Sequence, residues 1–209
     1  MDEGFFKLKG KTLVIIDWAN VYGWFKKLKW EISPKKLYDY LKNYPEIFDI
    51  RFYFGVERGN RKSEEFQKQI KDIGYNLISK QVKWVPVSLE TSHFKSLIKE
   101  LLNFLGGVKN INPEILNNVY KLAQKTIFRR KCDFDCEISL DFLNNSDSFD
   151  GVILFSGDGD YAVIVNELIK RRKQIIVVFA KGCKGREYED FKKGLYLCSV
   201  KKLKKQISR

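Results

Sequence analysis

Short apolar runs rich in β-branched residues recur along this 209-residue chain, and helical stretches separate them. They are Thr12–Asp17 (TLVIID), Ile47–Val56 (IFDIRFYFGV), Tyr75–Ser79, Gly151–Phe155 (GVILF) and Gln174–Phe179 (QIIVVF), with a sixth expected over Leu195–Val200. Runs of this length and composition are expected of strands covered on both faces. Between them, Val21, Trp24, Phe25 and Leu28 stand at helical spacing, a charged amphipathic helix is expected over 62–73, and a further helix over 158–171. Strands alternating with helices pair in parallel through right-handed crossovers. The expected fold class is therefore α/β, a three-layer sandwich around a mostly parallel, Rossmann-like sheet. In such sheets ligands gather beyond the carboxyl ends of the strands, near the point where strand order reverses.

Local punctuation sharpens the outline. Ser33-Pro34 reads as an N-cap with proline at the first helical position, and Gly74 as a helix stop. Pro86 makes 80–91 an extended edge or loop. Residues 92–128 are helical in pattern, with a second start at Asn112-Pro113, and interrupt the strand–helix alternation. We read 1–209 as one domain with a helical insertion at 92–128 and a basic tail at 201–209. The insertion suits either a lid or a contact between two copies in a homodimer. A further helix is expected from Phe134 to Leu143.

The formal net charge is +13, from 39 Lys and Arg against 26 Asp and Glu. Such a surplus suits a polyanionic partner, although a merely lysine-rich surface produces the same balance. No uncharged apolar run reaches about 18 residues, and lysines interrupt the N-terminus where a signal peptide would be apolar. The expectation is a soluble, cytoplasmic protein with no membrane partner. Four cysteines, Cys132, Cys136, Cys183 and Cys198, show no CxxC spacing, so reduced thiols are expected rather than a zinc site. Cys198 lies in an apolar run, where a thiol packs as a small hydrophobe.

Two of the apolar strands end in acids: Asp17 closes the first, and Ser156-Gly157-Asp158-Gly159-Asp160 follows GVILF. A carboxylate at the end of a buried strand is partly desolvated, a cost that a divalent cation offsets, and oxygen donors of this kind suit Mg²⁺ or Mn²⁺. Asp158 or Asp160 alone is accounted for by capping the next helix, but two acids exceed what one cap needs. Gly157 and Gly159 are expected to allow a tight turn with close backbone approach to a ligand. A third acidic cluster is Asp133, Asp135, Glu137 and Asp141. Asp135 and Asp141 are about 600° apart on a helix, whereas Glu137 and Asp141 share a face. A bland account pairs these acids with Arg129, Arg130 and Lys131.

The three motifs, IIDWAN, KCDFDCEISLD and GVILFSGDGDYAVIVNELIKRRKQIIVVF, occur in one order that resembles the NYN family of PIN-like metal-dependent nucleases. By that resemblance, Asp17 corresponds to a first-strand metal ligand and Asn20 to its polar companion. Asp135 and Asp141 correspond to the two helix aspartates, and Asp158 and Asp160 to the SGD-x-D pair. The resemblance implies Mg²⁺- or Mn²⁺-dependent phosphodiester hydrolysis, with Asp17, Asp141, Asp158, Asp160 and Asn20 catalytic. Asp17, Asp135, Asp141, Asp158 and Asp160 would hold metal. Phe134 stands where the family has a small aliphatic residue, Tyr161 where phenylalanine is common, and Lys173-Gln174 where glycine often precedes the last strand.

Basic residues expected at the same sheet edge form the substrate track. Arg58 and Arg61 follow the second strand, Lys181, Lys184 and Arg186 the fifth, and Lys131 precedes the acidic helix. Phosphate contacts to RNA rather than DNA are expected, with Trp18, Trp84 or Tyr188 available for base stacking. Two other functions compete: a non-catalytic RNA-binding module on the same fold, and a phosphotransfer enzyme with Asp17 as nucleophile. The last would call for a second acid at position 19, where alanine stands.

Overall fold

A computed structural model describes residues 5–87, 92–107, 112–115, 117–118 and 127–209. The chain divides into two compact units, Met1–Gln81 with Cys132–Arg209, and Val82–Lys131.

The first unit is built on six strands: β1 (Thr12–Asp17), β2 (Ile47–Val56), β3 (Asn76–Gln81), β6 (Gly151–Phe155), β7 (Gln174–Phe179) and β8 (Leu195–Ser199). They form one sheet in the order β3-β2-β1-β6-β7-β8, and every pairing in it is parallel. Helices flank it: α1 (Trp18–Gly23), α2 (Phe25–Leu28), α3 (Pro34–Lys42), α4 (Arg61–Ile73), α6 (Asp135–Asn144), α7 (Ala162–Lys170) and the short α8 (Lys204–Ile207). The expected α/β class and mostly parallel sheet are what the chain adopts.

Side-chain alternation explains why the central strands are apolar throughout. Leu13, Ile15, Val152, Leu154, Ile175 and Val177 pack in one cluster with Ile138, Phe142, Val165 and Leu168 of α6 and α7. Val14, Ile16, Ile153, Phe155, Ile176 and Val178 pack in another with Trp18, Trp24, Leu37, Leu41 and Ile70. Each Leu- or Ile-sized side chain so buried contributes about 1.5–3 kcal/mol.

Helix ends follow the expected chemistry. The Ser33 hydroxyl accepts from the Lys36 N–H ahead of Pro34, and Gly74 closes α4 in the left-handed region at φ 109°. The 201–209 segment departs from the expected tail. Leu203 and Ile207 are fully buried, the Ser33 N–H donates to the Ile207 carbonyl, and Arg209 pairs with Glu31. Apolar residues four apart give a single helical turn one buried stripe, so the lysines face outward while the backbone stays docked.

The second unit contains β4 (Lys83–Val87), α5 (Ser92–Gly107) and β5 (Ile127–Lys131). β4 and β5 form a separate antiparallel pair, which makes this unit wider than the stretch expected at 92–128. Pro86 is tolerated because each strand of a two-stranded ribbon is an edge. A short helical turn follows Pro113, as expected of Asn112-Pro113, and the Asn112 side chain accepts from the Glu114 N–H. The helix expected to continue through 119–126 lies outside the described residues, as does the side chain of His93. No helix among the described residues is long and apolar enough to cross a membrane.

Candidate active site

Strand order reverses between β1 and β6. From β1 the chain builds outward through β2 and β3, then returns to place β6 on the other side of β1. The crevice beyond their carboxyl ends is the switch point of the sheet. β1 ends there in Asp17, and β6 runs on there into Ser156-Gly157-Asp158.

Asp17 is only 7% exposed. Its carboxylate accepts from the Asn20 N–H at 3.4 Å, the Ser156 hydroxyl at 3.3 Å and the Tyr161 hydroxyl at 3.4 Å. Three long contacts compensate poorly for lost hydration. Burial pushes the Asp17 pKa up to about 6, the hydrogen bonds from Asn20 and Ser156 oppose this, and the charges of Asp135 and Asp158 add to it.

Asp135 is the first residue of α6 and is partly buried. Burial raises its pKa too, a hydrogen bond from Tyr161 opposes the rise, and Asp158, Asp133 and Asp160 add repulsion. Tyr161 is fully buried, with its hydroxyl serving both Asp17 and Asp135. Burial and the same two acids hold that phenol protonated, so its single hydrogen satisfies one carboxylate at a time. Among the described residues, no lysine or arginine forms an ion pair with Asp17, Asp135, Asp158 or Asp160.

Asp158 performs the capping role that a lone acid here would have. Its side chain accepts from the Asp160 N–H at 3.1 Å, its own N–H donates to Ser156 Oγ at 3.2 Å, and its carbonyl accepts from the Tyr188 hydroxyl at 2.6 Å. Asp160 is exposed and reaches the site as a nearby charge. Asn20 ties the two strand ends together: its Oδ1 accepts from the Gly157 N–H at 3.1 Å and from Trp24 Nε1 at 2.8 Å.

Asp141 is placed elsewhere. Its carboxylate accepts from Arg51 and from the Tyr53 hydroxyl, both on β2, and from Asn145 Nδ2 at 3.0 Å. Arg51 also pairs with Asp49 at 2.7 Å. Burying Ile138 and Phe142 fixes the rotation of α6, which aims Asp135 at Asp17 and Asp158 while turning Asp141 toward β2. The cation facing Glu137 is Lys80 on β3, so the expected pairing of these helix acids with Arg129, Arg130 and Lys131 gives way, for Asp141 and Glu137, to Arg51 and Lys80.

The glycines let the neighbouring loop approach closely. A Cβ on Gly157 would lie 1.8 Å from the Cys183 carbonyl oxygen, and one on Gly159 would lie 1.8 Å from the Glu187 carboxylate. The Gly185 N–H donates to the Gly157 carbonyl at 2.7 Å, so residues 183–187 close directly onto the SGDGD turn. Lys181 and Arg186 are exposed on that loop, and Lys184 pairs with Glu189 at 3.1 Å. Arg58 is exposed after β2, and Arg61 pairs with Glu65 at 2.7 Å. Lys131 is exposed on β5, in the second unit. Tyr188 is 1% exposed and Trp18 is 7% exposed, which removes both as stacking platforms, while Trp84 is 54% exposed. Ser156 and Tyr161 were not singled out as site residues in the sequence. A hydroxyl after a buried strand was the one available signal for Ser156.

The donor set matches a hard divalent cation in kind: carboxylate oxygens that repel one another in a desolvated crevice. Among the described residues, no three His, Cys, Asp or Glu side chains stand close enough to hold an ion as placed. The four cysteines are free thiols, with Cys198 buried as expected.

Comparison with known proteins agrees with this layout. A curated relative, the low amplitude and bright protein LabA of Synechococcus elongatus, is 24% identical over 178 residues, covering 85% of this chain and 77% of the relative. A crystal structure of a protein of unknown function from Vibrio parahaemolyticus superposes with a TM-score of 0.57 at 16% identity, covering 92% of this chain and 96% of the other, and so shares the fold. The NYN domain model matches residues 107–193, a stretch that holds Asp135, Asp141, Asp158 and Asp160 and leaves Asp17 and Asn20 outside. By this match residues 107–193 are similar to the NYN domain.

Proposed function

We propose that this protein is a metal-dependent endoribonuclease of the PIN-like type, with its reaction centre between the carboxyl ends of β1 and β6. The observation that carries the reading is Asp17, a buried carboxylate at the switch point that faces Asp135 and Asp158 with no lysine or arginine among the described residues paired to it. Asp17, Asp135 and Asp158 would hold Mg²⁺ or Mn²⁺. A bound divalent cation lowers the pKa of a coordinated water and offsets charge on the phosphate oxygens. Asn20 holds the two strand ends at a fixed separation, Tyr161 orients the Asp17 and Asp135 carboxylates, and Asp160 extends the acidic rim into solvent. Arg58, Lys181 and Arg186 supply phosphate contacts along that edge, with Arg61 and Lys184 joining when they exchange their carboxylate partners.

The NYN match supports a nucleic-acid role, and the acid cluster supports hydrolysis. The test is Mn²⁺-dependent cleavage of single-stranded RNA beside DNA of the same sequence. Asp17→Asn and Asp158→Asn should each lower the rate at least a hundredfold. Unchanged cleavage in both variants, or none by the parent protein with any divalent cation, overturns the reading.

A second reading, a non-catalytic RNA-binding module, is favoured by one observation: the described acids do not stand ready-assembled around an ion. RNA retained by the protein in Mn²⁺ without cleavage is its expected outcome.

A further inference from the structure

The second unit carries a surface of different character from the acidic crevice. β4 and β5 pair antiparallel, with Lys83 opposite Lys131, Trp84 opposite Arg130, Val85 opposite Arg129 and Pro86 opposite Phe128. Ten residues thus contain four cations and no acid. Directly opposed residues share a face and alternate pairs return to it. Trp84, Arg130, Pro86 and Phe128 therefore line one face, while Lys83, Arg129 and Lys131 line the other. Trp84 is 54% exposed and Phe128 is 53% exposed, and Arg130 beside them is exposed as well.

On the Trp84 face two large aromatic rings remain in water beside the Arg130 guanidinium. That cost falls when a polyanion with flat apolar faces lies along this face. Duplex nucleic acid presents phosphates but keeps its base faces stacked away. An unpaired strand offers both phosphates for the cations and bases for the rings.

We propose that the β4–β5 ribbon is a binding site for single-stranded nucleic acid, in which Trp84 and Phe128 stack on bases while Arg130, on the same face, contacts phosphate. The proposal rests on the nucleic-acid reading above and adds a place of attachment outside the acidic crevice.

The test uses the full-length protein in EDTA, so that cleavage plays no part, and follows the fluorescence anisotropy of a labelled single-stranded oligonucleotide across a salt series. Trp84→Ala with Phe128→Ala should weaken binding at least tenfold and leave the salt slope unchanged, since stacking carries no counterion release. Arg130→Gln should flatten the slope by about 0.7, the value for one lost phosphate contact on a single strand. All three side chains are exposed, and matching circular dichroism establishes that each variant is folded. Parent-like affinity in both variants overturns the ribbon proposal while leaving the crevice reading standing. No binding by the parent protein likewise overturns the ribbon proposal, and the crevice reading is then decided by the Mn²⁺-dependent cleavage assay. Loss of binding to phosphatidylserine vesicles, with oligonucleotide binding intact, assigns the ribbon to an anionic membrane surface and overturns the proposal.

Discussion

Asp141 is held by Arg51: the carboxylate of α6 accepts from the guanidinium on β2, with the Tyr53 hydroxyl on its other oxygen. Both partners of the ion pair are mostly buried, at 14% and 20% side-chain exposure. The pair pins α6 to the sheet, and that helix carries Asp135 at its first turn.

Asp141→Ala should therefore act on stability. Removing one partner of a mostly buried pair leaves Arg51 with Asp49 alone, a cost of about 3 kcal/mol. Urea denaturation checks the size. Mn²⁺ affinity measured by calorimetry at a temperature where the variant is folded should change less than threefold. A loss of Mn²⁺ binding comparable to that of Asp17→Asn would make Asp141 a ligand instead.

Asp17 predicts a pH dependence in metal-free protein. Its folded pKa of about 6 lies above the ordinary 3.8, so the folded state binds this proton more tightly than the unfolded state does. The ionised form then costs the folded state up to about 3 kcal/mol above pH 6, at about 1.4 kcal/mol per pKa unit, and the cost fades as pH falls toward 4. Asp17→Asn should melt higher than the parent at pH 7.5 in EDTA, with the difference disappearing near pH 4. Equal melting temperatures at pH 7.5 would mean that the carboxylate is better compensated than its contacts indicate. Mn²⁺ should raise the melting temperature of the parent and leave that of the variant nearly unchanged.

Gly157→Ala should destabilise through steric overlap, because the added carbon meets the Cys183 carbonyl at 1.8 Å and the obstacle is backbone. About 1–3 kcal/mol is the expected loss, the range for overpacking. Hydrogen exchange should quicken over 183–187, where the Gly185 N–H bonds the Gly157 carbonyl. Protection equal to the parent's in that loop would show that the turn accommodates the methyl group.

The strands were legible in sequence because burial on both faces demands continuous apolar runs, a local property of TLVIID, GVILF and QIIVVF. From those runs it also followed that Asp17 and Asp158 lie at one edge, since parallel strands end together. Which acids meet was decided in three dimensions. Asp135 and Asp141 look alike in KCDFDCEISLD, yet the packing of Ile138 and Phe142 sets the rotation of α6, sending one to the crevice and the other to Arg51. Tyr161 and Ser156 join Asp17 from far along the chain, at separations that no local pattern encodes. For the same reason Gly157 serves the 183–187 loop and the lysine-rich C-terminal segment is a docked turn. Periodicity reports which face of an element is buried, and only the packed partner decides what that face meets.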